Sequence, residues 1–219
     1  MRSLLRRSCR ALLAALALSA VTGPALAHPH VWVTTRAEVV YGSDGRVAGL
    51  RHRWTFDEGY SSYLTQGLDK NGDGKLTPDE LAGLAKENTE SLADFEYFTQ
   101  LKINGARQAF EPPREPAMEM ESGKAVLSFF LPVKGTAPLV RTAALEVYDP
   151  TFFVSFTLAE GDDAVRLANA PKGCATTVTR PKPPAAPQDQ KLSESFFDAL
   201  TSASNFGGQY ANRAIVACP

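Results

Sequence analysis

The sequence predicts an α+β fold: an antiparallel β-sheet or sandwich with a helix–loop–helix insertion and a short C-terminal helix. Three observations carry this. Short runs rich in Val, Thr, Phe and Trp recur at close intervals, separated by turn dipeptides. Between residues 57 and 99 the apolar period changes from that of strands to that of helices. Within that stretch lies an acidic, glycine-containing dodecapeptide, "DKNGDGKLTPDE", at 69–80.

The first 27 residues read as a secretory signal peptide. Arg2, Arg6, Arg7 and Arg10 make a positive start, "ALLAALALSAV" an apolar run, and "PALA" a small-residue cleavage site ending at Ala27. An uncleaved anchor is the competing reading. The mature chain then begins at His28, and the expected location is the periplasm. From there "VWVTTRAEVVY" reads as a strand, "GSDG" as a turn and "RVAGLRHRWTF" as the returning strand. Tyr60, Tyr63, Leu64 and Leu68 mark one helix, and Leu81, Leu84, Ala85, Leu92 and Phe95 a second that runs on to Phe98. Strands return in "LKINGARQAF", where Asn104-Gly105 suits a tight hairpin, and around Ser122-Gly123. Two more runs flank Asp149-Pro150, and "DAVRLAN" and "CATTVTR" follow. These elements form a β-rich body over 28–180 with the helical insertion at 57–99. The remainder, 181–219, reads as a proline-rich linker ("PKPPAAPQ"), a short helix ("SESFFDALTSA") and a last strand ("NRAIVAC").

Charge narrows the function. The whole chain carries 23 basic and 24 acidic residues. Removing the signal removes four arginines and no acids, leaving 19 against 24, a formal balance of −5. No basic block remains to bind nucleic acid. No second long apolar run exists, so no membrane span is expected in the mature chain. Its two cysteines, Cys174 and Cys218, are most simply a disulfide in an exported protein, with two free thiols as the alternative.

The dodecapeptide matches an EF-hand calcium loop. Calcium takes six to eight oxygens, which such a loop supplies from positions 1, 3, 5, 7, 9 and 12. Those positions hold Asp69, Asn71, Asp73, Lys75 (through its carbonyl), Thr77 and Glu80. Gly74 occupies position 6, where the chain turns sharply. "TPDE" is also a helix start, with Thr77 as N-cap, Pro78 first in the helix and Glu80 three residues after the cap. A loop that merely caps a helix is therefore the competing reading. A lone EF-hand suggests a structural clasp rather than a sensor.

The chain has three histidines, His28, His30 and His52. After cleavage, His28 would offer its imidazole and a free α-amine to a transition metal such as Zn²⁺ or Ni²⁺, and His30 a third donor. Pro29 has no N–H to lose, which removes the chelate that needs a deprotonated second-residue nitrogen. His30 alternates with Trp32 on one strand face. Whether His52 shares that face depends on the turn. Asp57, Glu58 and Asp149 are acidic candidates nearby or across the sheet.

"HPHVWV" after the signal, "WTFDEGYSSY" after the hairpin, "FEYFT" before the later strands and "YDPTFFVSF" near the end together resemble domain-of-unknown-function family 1007. The resemblance spans nearly the whole mature chain. It implies a periplasmic component of an ABC-type transport system, discussed beside nickel, cobalt and zinc permeases, and transfers no catalytic residues. The expected function is thus a non-enzymatic, calcium-binding periplasmic accessory or solute-binding component of a metal-ion transport system, with an inner-membrane permease as partner. The alternatives are a calcium-stabilised interaction module, or a copper-dependent oxidative enzyme braced by the N-terminal histidine.

Overall fold

The structure is a computed structural model that describes residues 29–181 and 205–219. The expected signal peptide, His28, the body of the proline-rich linker and the helix expected at 193–203 lie outside the described residues.

β1 (Val31–Tyr41) and β2 (Val47–Phe56) form the expected antiparallel hairpin. Alternate residues of β1 are buried, from Val31 through Val33, Ala37 and Val39 to Tyr41, as a strand with one face on the core requires. Two helices follow, α1 (Glu58–Leu64) and α2 (Pro78–Ser91). Asp57 caps α1 by accepting from Tyr60 N at 2.9 Å, and its other oxygen accepts from Trp32 N at 3.0 Å. One carboxylate thus starts the helix and clamps it to the beginning of β1. Ser61 Oγ accepts from Ala125 N at 2.9 Å and fastens α1 to the sheet. α2 buries Leu81, Ala85 and Thr89, one stripe at i, i+4 and i+8.

Beyond Leu92–Phe98, a 3₁₀-like segment broken by non-helical backbone at Phe95, Glu96 and Tyr97, the remaining strands are β3 (Thr99–Ile103), β4 (Ala106–Arg107), β5 (Arg114–Glu121), β6 (Lys124–Pro132), β7 (Thr142–Val147), β8 (Val154–Leu158), β9 (Val165–Ala168), β10 (Ala175–Thr179) and β11 (Asn212–Ala217). The β3–β4 and β5–β6 hairpins turn at Asn104-Gly105 and Ser122-Gly123, and all four turn residues have positive φ. One sheet has the order β5-β6-β2-β1-β8, with β9 also paired to β1; the other has the order β10-β11-β7-β3-β4. Buried residues of both sheets and of α2 belong to a single hydrophobic cluster.

Two expectations are corrected. The first sheet is mixed rather than antiparallel, because β8 and β9 both run parallel to β1. β7 lies in the second sheet and β8 in the first, so the loop between them carries the chain from one sheet to the other. Asp149 holds that loop, accepting from Thr151 N and Oγ1 at 2.8 Å and from Val154 N at 2.9 Å. The second helix also stops at Ser91 instead of Phe98. Asn88, Thr89 and Ser91 all turn their side chains back onto helix carbonyls, at 2.8–2.9 Å, which competes with continuation of the backbone ladder. The chain then takes left-handed φ at Glu96, Tyr97 and Phe98 (51°, 58° and 47°) before entering β3.

The C-terminal segment docks on the 149–153 loop. Phe152 packs on Tyr210 with ring centroids 4.4 Å apart, and Gly207 N donates to Pro150 O at 2.9 Å. A Cβ at Gly207 would lie 1.7 Å from Asp149 O, a backbone atom. Gly207→Ala is expected to force this segment off its seat. Overpacking costs about 1–3 kcal/mol, so the melting temperature should fall by roughly 2–12 °C; an unchanged melt would show that the close approach is not needed.

Candidate metal centre

The 69–80 loop leads from α1 into α2. Its N–H groups fold onto its own side-chain oxygens. Asp69 accepts from Gly72 N at 2.8 Å and Gly74 N at 2.9 Å; Asn71 accepts from Asp73 N at 2.9 Å; Asp73 accepts from Lys75 N at 2.8 Å. Gly72 and Gly74 have φ of 71° and 76°, and a Cβ on either would meet nothing within 4 Å. Glycine is therefore needed there for backbone conformation, not for space. Leu68 and Leu76, beside and within the loop, are partly buried against the core.

Glu80 joins the two ends of the loop. One oxygen accepts from Lys70 N at 3.1 Å, the other from Thr77 N and Oγ1 at 2.9 Å. The expected capping box is complete, since Thr77 Oγ1 also accepts from Glu80 N. These bonds, Thr77 N first, hold the Glu80 carboxyl below its ordinary range. The Lys70 contact carries no sequence signal, because any residue supplies that N–H. Among the described residues, no three His, Cys, Asp or Glu side chains stand together as a group ready to hold a metal ion. The loop's donor set consists of oxygens alone, the chemistry of a hard divalent cation rather than of zinc or copper.

The histidines do not gather. His30 is exposed at the start of the described chain, its N–H donating to Phe153 O at 2.9 Å and its ring 4.7 Å from that of Phe153. His52 stands directly opposite Ala37 in the register, so it shares Ala37's inward face, whereas His30 alternates with outward-facing Trp32. Seven residues of strand also separate the two positions along β1, roughly 23 Å. His52 is fully buried against Phe129 and Trp54. Burial lowers its pKa to about 3, so it is a neutral core residue. The three-histidine site thus loses His52, and only His28 and His30 remain for it. Of the nearby acids, Asp57 and Asp149 are committed to the backbone as described above.

The fold and its loop define a two-sheet α+β protein whose first sheet carries a helical insertion with an acidic turn. The chain belongs to the family described as "Protein of unknown function (DUF1007)", which matches residues 13–218. It is 28% identical over 106 residues to an uncharacterized 15.5 kDa protein from the trpE 3′ region of Spirochaeta aurantia, covering 48% of this chain and 76% of that one. It is 23% identical over 204 residues to an uncharacterized protein of Haemophilus influenzae, covering 88% and 92% of the two chains. Cys174 and Cys218 are joined by a disulfide, and no described helix is long and apolar enough to cross a membrane.

Proposed function

We propose that this is an exported, non-enzymatic calcium-binding protein that serves as an accessory or solute-binding component of a metal-ion transport system. The observation that carries the calcium reading is the loop itself. Asp69, Asn71 and Asp73 are oriented by N–H groups of their own loop, which leaves further lone pairs on those oxygens for an ion. Asp69, Asn71, Asp73, Thr77 and Glu80 would hold calcium, with the Lys75 carbonyl. Calcium would supply a crosslink between α1 and α2. Glu80 is shared between two roles, because its oxygens already serve Thr77 and Lys70.

Dissociation constants of 10⁻⁴ to 10⁻³ M are typical of extracellular calcium modules. At 10 mM calcium they stabilise the fold by about 1.4–2.7 kcal/mol, a rise in melting temperature of about 3–10 °C. Calorimetry of the chain beginning at His28, with calcium and with chelator, measures this. Glu80→Gln keeps a capping-box residue and should abolish the rise. A melt indifferent to calcium sinks the reading.

The transport reading rests on the family resemblance and on the exposed His30, two residues after His28 in the sequence. Zinc or nickel titration of the same chain should give binding that is lost in His28→Ala and in His30→Ala. One extra residue ahead of His28 should also abolish it, by removing the α-amine donor.

A further inference from the structure

The four stretches that carry the family resemblance are far apart in sequence, yet each supplies wall to one cavity of about 420 Å³. Val33 comes from the first, Trp54 from the second, Phe98 from the third and Phe156 from the fourth. Each stretch also places one large aromatic side chain at the surface: Trp32 (52% exposed), Tyr63 (74%), Phe95 (57%) and Phe153 (46%). Among the described residues, the fifth exposed large apolar side chain is Leu139. It is bridged to Arg46 beside the β1–β2 turn, at the opposite end of β1.

The four rings gather at one end of the first sheet. Phe95 and Phe153 line the cavity. Tyr63 has its ring 6.3 Å from that of Tyr60, which lines it too. Trp32 lies between the lining residues Val31 and Val33, its N–H donating to Asp57 at the start of α1. The polar side chains Asn88, Ser91, Asp149 and Thr151 in the same lining all bond to other groups of the protein, so this end presents an apolar surface. Single exposed apolar side chains are ordinary, whereas grouped ones mark a contact.

Three further observations choose the contact. Aromatic rings, Trp and Tyr above all, favour the boundary between lipid and water. The segments 29–35, 57–66, 88–98 and 147–156 contain no Lys or Arg but six acids, Asp57, Glu58, Glu90, Asp94, Glu96 and Asp149, which disfavours an anionic surface. The chain also enters here: His30 N donates to Phe153 O at 2.9 Å, so the leader with its apolar run "ALLAALALSAV" joins the body at this same rim. A leader of that kind is removed at the membrane, with this end of the body nearest the lipid.

We propose that this end of the molecule rests on the surface of a zwitterionic lipid bilayer, with Trp32, Tyr63, Phe95 and Phe153 at the depth of the headgroups.

The test uses the chain beginning at His28, so that the leader's own lipid affinity is absent, with chelator present so that the calcium loop stays out of the result. That chain has two tryptophans, exposed Trp32 and buried Trp54. Vesicles of brominated phosphatidylcholine should quench tryptophan emission saturably, and Trp54→Phe, which leaves Trp32 as the sole indole, should retain the quenching. Tyr63→Ser/Phe95→Ser, at the two most exposed rings, should weaken vesicle binding at least tenfold. Leu139→Ser should leave it unchanged, and phosphatidylglycerol mixed into the vesicles should weaken it. No quenching in the unaltered chain, undiminished binding by the double variant, an equal loss in Leu139→Ser, or tighter binding to the phosphatidylglycerol vesicles would overturn the proposal. So would a dimer in solution that Tyr63→Ser/Phe95→Ser disperses, which would assign the rings to a second copy of the chain.

Discussion

Loss of the Cys174–Cys218 bridge is expected to lower the melting temperature by roughly 8–16 °C. The two cysteines are 44 residues apart. Cys174 immediately precedes β10 and Cys218 immediately follows β11, beside the paired residues Ala175 and Ala217. The bridge therefore closes the far end of the β10–β11 ladder. Crosslinking a loop of this size removes chain entropy worth about 4 kcal/mol from the unfolded state, and each kcal/mol is about 2–4 °C in a chain of this length. The effect should be large because β10 lies at the edge of its sheet and pairs within it only with β11. Calorimetry of Cys174→Ser/Cys218→Ser, and of the native chain under reductant, should agree. A drop below about 2 °C would show that the ladder holds by itself.

Acid should destabilise the fold through His52 before the carboxylates titrate. Its folded pKa, lowered to about 3 by burial, lies below the 6.5 of an unfolded histidine. The unfolded chain therefore binds a proton that the folded chain refuses. The stabilisation is complete above about pH 6.5 and is lost as the pH falls toward 3, at up to about 1.4 kcal/mol per pH unit. Between pH 6.5 and 4.5 the loss should reach roughly 2 kcal/mol. His52 has little polar support: Nε2 lies 3.4 Å from Thr99 Oγ1, and Nδ1 has no partner. His52→Phe, which keeps the stack on Phe129, should flatten this slope and leave stability at pH 7 unchanged or higher. Urea midpoints across that interval measure both effects, and an equally steep slope in the variant would assign the acid sensitivity elsewhere.

Local chemistry was legible in the sequence, and long-range partnership was not. Asn104-Gly105 and Ser122-Gly123 announce their hairpins because a tight turn needs positive φ at those two residues. Thr77, Pro78 and Glu80 announce the start of α2 because a capping box is contiguous. The candidate calcium loop is equally legible, since its donors occupy one dodecapeptide. His52 is different. Its face depends on the register around the β1–β2 turn, where an irregularity at Val40/Tyr41 shifts the pairing and leaves no mark in composition. The parallel placement of β8 beside β1 is also silent, because nothing in either strand encodes its partner's direction. The cavity around Trp54 escapes for the same reason: four separated stretches build it, and each alone reads as ordinary strand or helix end. Its nearest sequence signal is the density of aromatic residues in those four stretches.

The parallel pairing of β1 bears on how the chain acquires its structure. Val31 sits beside Val154, 123 positions later (154 − 31). Closing so long a segment before any contact rewards it slows folding. The β1–β2 hairpin can form early, but its outer edge stays open until the last third of the polypeptide has emerged. A newly made molecule would thus keep an unfinished first sheet until β8 and β9 have been made.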